Sequence, residues 1–290
     1  NIWFKSKLIS LRPNIFYRSI DNHLAFSSVI EAIDITKLPQ LYPTKLMGVN
    51  TRKYLIDSLQ QGQIENAQMI WHGAVDAFPF EQKQGVFQTQ IQVSDGTLRF
   101  ASQWPALTNF NVNVFFENKS LTMTSQKGRL LDVALTDLSA KIPDLAPNAV
   151  LIIDADVQAN GQQVTDLMQQ SNLADTLGKT LQQIKVSGPL KTQLHLYIPL
   201  TGKDVIAKGN VFLADNQIEL PNLAILLEQT NGTVSFVNNK ITAKDLNTRL
   251  LQQPIQLTFT GANQADGYHT DINIQGDWQV APVLEMFLMG

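Results

Sequence analysis

Residues Gly85–Phe100 have the sequence GVFQTQIQVSDGTLRF, in which polar and apolar residues alternate. From Phe87 to Val93 every second residue is apolar or threonine, and the three residues between them are glutamines. Successive side chains of a β-strand point to opposite faces, so this period of two predicts a strand with one apolar and one polar side. The sequence SDGT is typical of a turn, after which Leu98 and Phe100 continue the apolar face. We therefore predict a hairpin.

The same alternation recurs along most of the chain. FNVNVFFEN begins at Phe110 and LKTQLHLYIPL begins at Leu190, and turn-forming sequences follow about every 8–12 residues, as in an antiparallel meander. We predict a mainly β fold in one continuous segment over 1–290. Its predicted parts are strands over 1–42, a helical insertion over 43–62, strands over 63–160, a helical insertion over 161–185 and strands over 186–290.

Two helices are predicted within these insertions. The first spans 51–61, with Asn50 as its N-cap and Gly62 as its end. The second spans 173–184, where Leu173, Leu177 and Leu181 recur at helical spacing after a shorter helix that contains Asp166.

The sequence also contains a weak internal repeat. VFFENKSLTMTSQKGRL at 114–130 is similar to VSFVNNKITAKDLNTRL at 234–250, an offset of 120 residues. Each copy reads as a strand, an asparagine-containing turn and a second strand. This similarity favours strands stacked along one direction over a closed globule.

The composition excludes several classes of function. The chain contains no cysteine, which excludes disulfides, thiolate zinc sites and a cysteine nucleophile. Its net charge of −3 argues against a nucleic-acid partner, which would require a basic surface. The four histidines lack metal-binding spacing, and no catalytic or nucleotide-binding motif is present. We predict no metal, no cofactor and no enzymatic activity, and we interpret Asp154 and Asp156 as part of a solvated strand face.

The pattern does not determine what covers the apolar faces. A second sheet, a closed barrel or helices would each bury them. An open trough filled by a ligand would present the same alternation. The sequence offers few helical segments for so many strands, so the sandwich and the trough remain the main alternatives.

Several motifs occur in order within about 40–260. They are a turn with LMG, a helix and GQIENAQMIWHG (together Tyr42–Gly73), then FPF (Phe78–Phe80), GVFQTQIQVSDGTLRF, WPALTNFNVNVFFENKSLTM (Trp104–Met123) and GPLKTQLHLYIPLTG (Gly188–Gly202). In this order the motifs resemble the AsmA-like family of lipid-transport proteins in Gram-negative bacteria. The resemblance implies a long, curled antiparallel sheet that forms an open hydrophobic groove. It also implies that the chain is an interior segment of a periplasmic protein anchored in the inner membrane elsewhere.

The resemblance further implies a function. The groove would shield phospholipid acyl chains during transport from the inner to the outer membrane, which the rest of the parent chain would reach. The candidate groove residues are Phe87, Ile91, Val93, Leu98, Phe100, Val112, Val114, Phe116, Leu194, Leu196, Val211, Leu213, Val234, Phe236, Leu257 and Phe259. Trp71, Trp104 and the FPF motif fit either a groove edge or ordinary core packing.

Two other functions are compatible with the residues. One is a structural β-sandwich of the cell envelope that binds protein. The other is a glycan-active enzyme, which is disfavoured because no paired carboxylates stand out in the sequence.

Overall fold

The computed structural model describes residues 4–5, 10–42, 48–202, 204–264, 267–277 and 279. The chain forms two compact units. The first consists of Asn1–Leu131, Leu135–Asp154 and Tyr197–Asp204, and the second of Asp132–Ala134, Ala155–Leu196 and Val205–Gly290. The predicted class is confirmed, because the fold is mainly β with antiparallel strands and three short α-helices among the described residues.

The strands up to Ile142 form an antiparallel meander in which β2 pairs with β3, β3 with β5, and β5 to β8 pair in sequence before β10 follows β8. Helix α1 precedes the long strand β5. The elements are β1 (Phe4–Lys5), β2 (Ser10–Arg18), β3 (His23–Ile30), β4 (Ile33–Asp34), α1 (Val49–Ser58), β5 (Leu59–Ala74), β6 (Val86–Leu98), β7 (Leu107–Glu117), β8 (Ser120–Ser125), β9 (Gly128–Leu130) and β10 (Val133–Ile142).

The later strands repeat this arrangement. Two helices precede β12, and β14 to β18 then pair antiparallel in sequence, while β12 pairs with β14. The elements are β11 (Val150–Asn160), α2 (Gly161–Gln169), α3 (Lys179–Gln182), β12 (Lys185–Ser187), β13 (Pro189–Pro199), β14 (Ile206–Leu220), β15 (Ile225–Val237), β16 (Lys240–Leu250), β17 (Gln253–Gln264) and β18 (Gly267–Gln275).

The predicted turn at 94–97 is wrong. Strand β6 runs through SDGT without reversing, and its register with β7 shifts between Val93 and Leu98. Asp95 adopts a left-handed backbone with φ of 50°, and the Asn111 side-chain oxygen accepts its backbone N–H at 3.1 Å. This is a β-bulge, which inserts an extra residue and keeps Leu98 on the same face as Val93.

The predicted helix over 51–61 is shorter and begins earlier. Helix α1 starts after Gly48, which precedes the predicted cap Asn50, and it ends at Ser58 because Leu59 enters β5 and pairs with Leu98. Gly62 does not end the helix but lies within β5 with φ of 142°. Strand pairing with a distant segment therefore overrides the helical pattern at the end of this region.

The predicted helix over 173–184 is divided. A π-helical turn occupies Ala174–Gly178, in which the Gly178 N–H donates to the Leu173 carbonyl oxygen at 2.9 Å, and α3 then covers only Lys179–Gln182. The shorter helix before it is confirmed as α2. Parts of the predicted first strand and of the C-terminal segment lie outside the described residues.

The structure confirms the internal repeat and extends it to repeat A, residues 86–131, and repeat B, residues 206–251. Strand pairs in repeat A match those in repeat B at the same offset of 120 residues. The matching pairs are Ile91–Val114 and Val211–Val234, Gly96–Phe110 and Asn216–Thr230, and Leu107–Leu130 and Leu227–Leu250.

The repeats also share their irregular backbone. Residues with positive φ occur at equivalent positions, which are Asp95 and Asp215, Asn109 and Gln229, Asn118 and Asn238, and Leu131 and Leu251. At the hairpin turns, the Asn118 side-chain oxygen accepts the Phe87 N–H at 2.9 Å, and the Asn238 side-chain oxygen accepts the Ala207 N–H at 2.8 Å. The bulges and turns therefore set the same register in both repeats.

Candidate functional site

The apolar side of repeat A is built by the alternation of β6 and β7. Ile91 pairs with Val114, and Val93 pairs with Val112, so their side chains share one face of the sheet. The opposite face carries exposed polar residues, including Gln90, which lies next to Ile91 in the chain. The predicted division into one apolar and one polar side is therefore present in the structure.

This face continues across seven strands of the first unit. A row of side chains in direct register runs from β2 to β10, and every member is apolar. We name it row A, and its members are Leu11, Ile30, Ala67, Ile91, Val114, Met123 and Ala140. The two alanines are buried, whereas the five larger side chains are only half-buried.

The second unit contains an equivalent row. Val211, Val234 and Ala243 occupy the positions of Ile91, Val114 and Met123, and the register continues into β17 and β18. We name this series row B, and its members are Val211, Val234, Ala243, Phe259 and Ile272.

The apolar faces are better packed toward the bulges than along the rows. In repeat A, Val93, Leu107, Phe110 and Val112 are buried. In the second unit, a buried cluster contains Leu190, Leu213, Leu227, Ala243, Leu246, Leu250, Ile255 and Leu257. Each unit thus has a packed base, which in the second unit includes Ala243 of row B, and larger apolar side chains along the rows that keep partial access to solvent.

The predicted groove residues divide between these two zones. Val93, Val112, Leu213 and Leu257 are buried in the bases. The half-buried residues are Phe87, Ile91, Leu98, Phe100, Val114, Phe116, Leu194, Leu196, Val211, Val234, Phe236 and Phe259. Of these, Phe100 lies beyond the end of β6, where its ring centroid is 6.0 Å from that of Trp104.

Several members of the rows are not among the residues predicted from the sequence. Met123 pairs with Val114 across the hairpin turn at Asn118, and Ala67 pairs with Ile91 across a much longer connection. The short turn ENKS was a sufficient signal for Met123, because two-residue turns determine which residues face each other. No local signal relates Ala67 to Ile91.

An aromatic cluster lies on the same face of the first unit as row A. Trp71 pairs with Phe87 in the sheet, and the loop between β5 and β6 adds Phe78 and Phe80. The ring centroid of Trp71 is 5.3 Å from those of Phe78 and Phe80, and that of Phe87 is 5.4 Å from Phe116. These aromatic residues therefore form one continuous contact surface.

A group of charged side chains lies near the hairpin turn of repeat A. At the turn of repeat A, Lys119 Nζ is 3.0 Å from a carboxylate oxygen of Asp144 and 3.4 Å from one of Glu81. The hydrogen bond to Asp144 raises the pKa of Lys119 above its ordinary value. None of the row A side chains is titratable, so the rows offer apolar contact and no acid–base chemistry.

The other sites considered from sequence are dispersed. Asp154 and Asp156 are both exposed, and the rings of His23 and His72 lie 4.7 Å apart on neighbouring strands. Among the described residues, no three His, Cys, Asp or Glu side chains are grouped to hold a metal ion. In the same residues, no helix is long and apolar enough to cross a membrane.

Comparison with known proteins identifies the family. A relative from Escherichia coli (strain K12), named "Intermembrane phospholipid transporter YhdP", is 31% identical over 284 residues, which cover 97% of this chain and 22% of that protein. The chain thus spans about a fifth of the length of this relative. No solved structure matches the chain. A model of the family described as "YhdP protein" matches residues 1–288, which confirms the resemblance, and the chain belongs to the YhdP family.

Proposed function

We propose that row A and row B each line a groove surface that shields phospholipid acyl chains during transport between the inner and outer membranes. The observation that carries this proposal is the unbroken apolar register of row A across seven strands, with its larger side chains only half-buried. The E. coli relative is named as an intermembrane phospholipid transporter, which supports the same class of substrate. The chain would act in the periplasm, within a longer protein anchored in the inner membrane.

The dimensions of row A suit an acyl chain. Six intervals of about 4.8 Å between neighbouring strands give a row about 29 Å long. One leaflet of a bilayer is about 15 Å deep in hydrocarbon, so the row exceeds the length of one acyl chain. A chain that crosses the strands would therefore contact apolar side chains along its whole length.

The energetics also favour such a role. Each methylene group that leaves water gains about 0.8 kcal/mol, so an unshielded chain of sixteen carbons costs on the order of 10 kcal/mol in water. A continuous apolar row removes most of this cost, while a headgroup stays solvated at the edge of the sheet. Such a conduit is non-enzymatic, since it changes no covalent bond.

We propose distinct roles for the candidate residues in the two zones. The half-buried ones contact acyl chains directly, except Phe87, whose ring lies against the loop residue Phe78. The buried residues Val93, Val112, Leu213 and Leu257 hold the strands in register beneath them.

Photocrosslinking in cells tests the proposed function. A benzophenone side chain at Val114 or Val234 in the intact protein should crosslink to phospholipid, because these equivalent positions lie on rows A and B. The control position is Asn113, which is the neighbour of Val114 and exposed on the polar face. Crosslinks to protein at Val114 and Val234, without lipid, would instead support the envelope sandwich that binds protein.

A further inference from the structure

The loop that joins β5 to β6, ahead of repeat A, has no counterpart of equal length ahead of repeat B. It spans residues 75–85, whereas the connection between β13 and β14 spans only residues 200–205. The position equivalent to Phe87 in repeat A is Ala207 in repeat B. The first unit therefore carries both a longer loop and a larger aromatic side chain at this end of the apolar face.

Phe80 anchors this loop to the sheet. Its side chain is 2% exposed and lies against Gly73 and Gly85. A Cβ atom at Gly73 would lie 2.8 Å from Phe80 Cε1, and one at Gly85 would lie 2.5 Å from the same atom, so any larger residue at either position would displace the ring. The loop is therefore held at one well-packed point.

Phe78 is placed differently from Phe80. Its ring stacks on Trp71 with an interplanar angle of 27°, and its centroid is 5.9 Å from that of Phe87. Yet 42% of Phe78 remains exposed. The ring thus covers the apolar surface of Trp71 and Phe87 from the solvent side without being buried itself.

Trp71 and Phe87 belong to a row parallel to row A. Along β6, Phe87 precedes Ile91 by four residues, so the two rows are about 14 Å apart on the same face. Phe78 covers Trp71 and Phe87, whereas the larger side chains of row A are half-buried. The apolar surface that a ligand can contact in the first unit is consequently narrower than the surface that all of the apolar strand residues would form together.

We propose that Phe78 sets the width of the acyl-chain path in the first unit by occupying the surface of Trp71 and Phe87. This inference rests on the proposed function, and it makes Phe78 a residue that limits how many acyl chains lie side by side. Residues 200–205, ahead of repeat B, contain no aromatic residue, and Ala207 stands at the position of Phe87, so the same aromatic cover cannot form there. The occupant is a phospholipid acyl chain because the covered surface is entirely hydrocarbon and aromatic and lies on the same face as row A.

The experiment uses the intact protein in cells, with a benzophenone probe at Phe87 and, separately, at Val234. Phe78→Ala should increase lipid crosslinking at Phe87 by about fourfold, the change in occupancy that burying one further methylene group produces. Crosslinking at Val234 should not change. Phe78→Trp keeps an aromatic ring in the same place and should decrease crosslinking at Phe87.

The matched control is Phe115→Ala. Phe115 is 39% exposed, nearly as much as Phe78, but it lies on the polar face of β7. Phe115→Ala should change lipid crosslinking neither at Phe87 nor at Val234. If Phe78→Ala leaves crosslinking at Phe87 unchanged or lowers it while Val234 still captures lipid, the role of Phe78 is wrong and the proposed function stands. If Val234 captures no lipid in any variant, the proposed function itself fails.

Discussion

Repeats A and B share a backbone but fill one position of their cores with opposite chemistry. In repeat A, Phe110 is buried between Gly96 and Gly128. A Cβ atom at Gly96 would lie 2.7 Å from the Phe110 ring, and one at Gly128 would lie 3.5 Å from Phe110 Cβ. The Phe110 ring thus uses the space that the absent side chain of Gly96 leaves, and at Gly128 the nearest atom is Leu107 Cδ1, 3.0 Å from the position of a Cβ.

The equivalent residues of repeat B are all polar. Asn216, Thr230 and Thr248 are buried, and the hydroxyl oxygens of the two threonines are 2.8 Å apart. The Asn216 side-chain amide donates to the carbonyl oxygens of Ser187 at 3.0 Å and Pro189 at 3.1 Å, and its oxygen accepts the Ala214 N–H at 2.7 Å. Every polar atom of the Asn216 side chain therefore forms a hydrogen bond, as is usual for buried polar groups.

The difference between the two repeats indicates which residues determine the strand register. Repeat A has an aromatic ring at the core position where repeat B has a hydrogen-bonded network. The bulges at Asp95 and Asp215 and the turns at Asn118 and Asn238 nevertheless occur at equivalent positions of the two repeats. The asparagine side chains that bind backbone N–H groups are the common element. The following predictions test this division of roles.

The largest effect is expected in the core of repeat A. Phe110→Ala removes a buried ring and leaves a cavity beside Gly96, which has no side chain to fill it, so we expect a loss of about 3–5 kcal/mol in the free energy of unfolding. Urea denaturation followed by circular dichroism measures this loss. The control is Phe115→Ala on the same strand, where the exposed side chain should cost less than about 1 kcal/mol. Similar losses in the two variants would contradict the packing described for Phe110.

An intermediate and equal effect is expected at the two turns. Asn118→Ala and Asn238→Ala each remove an acceptor and place alanine at a φ near 50°, so each should cost about 1–2 kcal/mol. Hydrogen exchange of the Phe87 and Ala207 amides should accelerate in the corresponding variant.

Glycine variants separate the two causes at these turns. Asn118→Gly and Asn238→Gly lose the acceptor but tolerate positive φ, so their losses should be smaller than those of the alanine variants. A clear loss in only one repeat would show that the register of the other is encoded elsewhere.

The smallest effect concerns a charge that only repeat A carries. Lys119 occupies the position of Asn239, and its hydrogen bond to Asp144 raises its pKa. A raised folded-state pKa stabilises the fold below the pKa of unfolded lysine, and this stabilisation is lost as pH rises through the folded-state value. An NMR titration of Lys119 should show the raised pKa, and Asp144→Asn should lower it again. An unchanged pKa in Asp144→Asn would contradict the assigned cause.

Alternation along single strands was sufficient to predict the apolar faces. Phe87, Ile91 and Val93 share a face because the period of two is local and strong. The prediction of a turn at SDGT was wrong because a bulge and a turn favour the same residue types. The residue that distinguishes them here is Asn111, which accepts the Asp95 N–H and lies on the next strand. The position of Phe78 over Trp71 was equally inaccessible, since no periodicity relates a loop residue to the strand it covers.

The bulges and turns also constrain how the chain can vary. The same number of residues separates Asp95 from Asn118 as separates Asp215 from Asn238. Removing a single residue between the bulge and the turn would move every later side chain of the strand to the opposite face of the sheet, and the apolar residues would be exposed to water. We therefore expect natural variants to accumulate substitutions within these segments while insertions and deletions are eliminated.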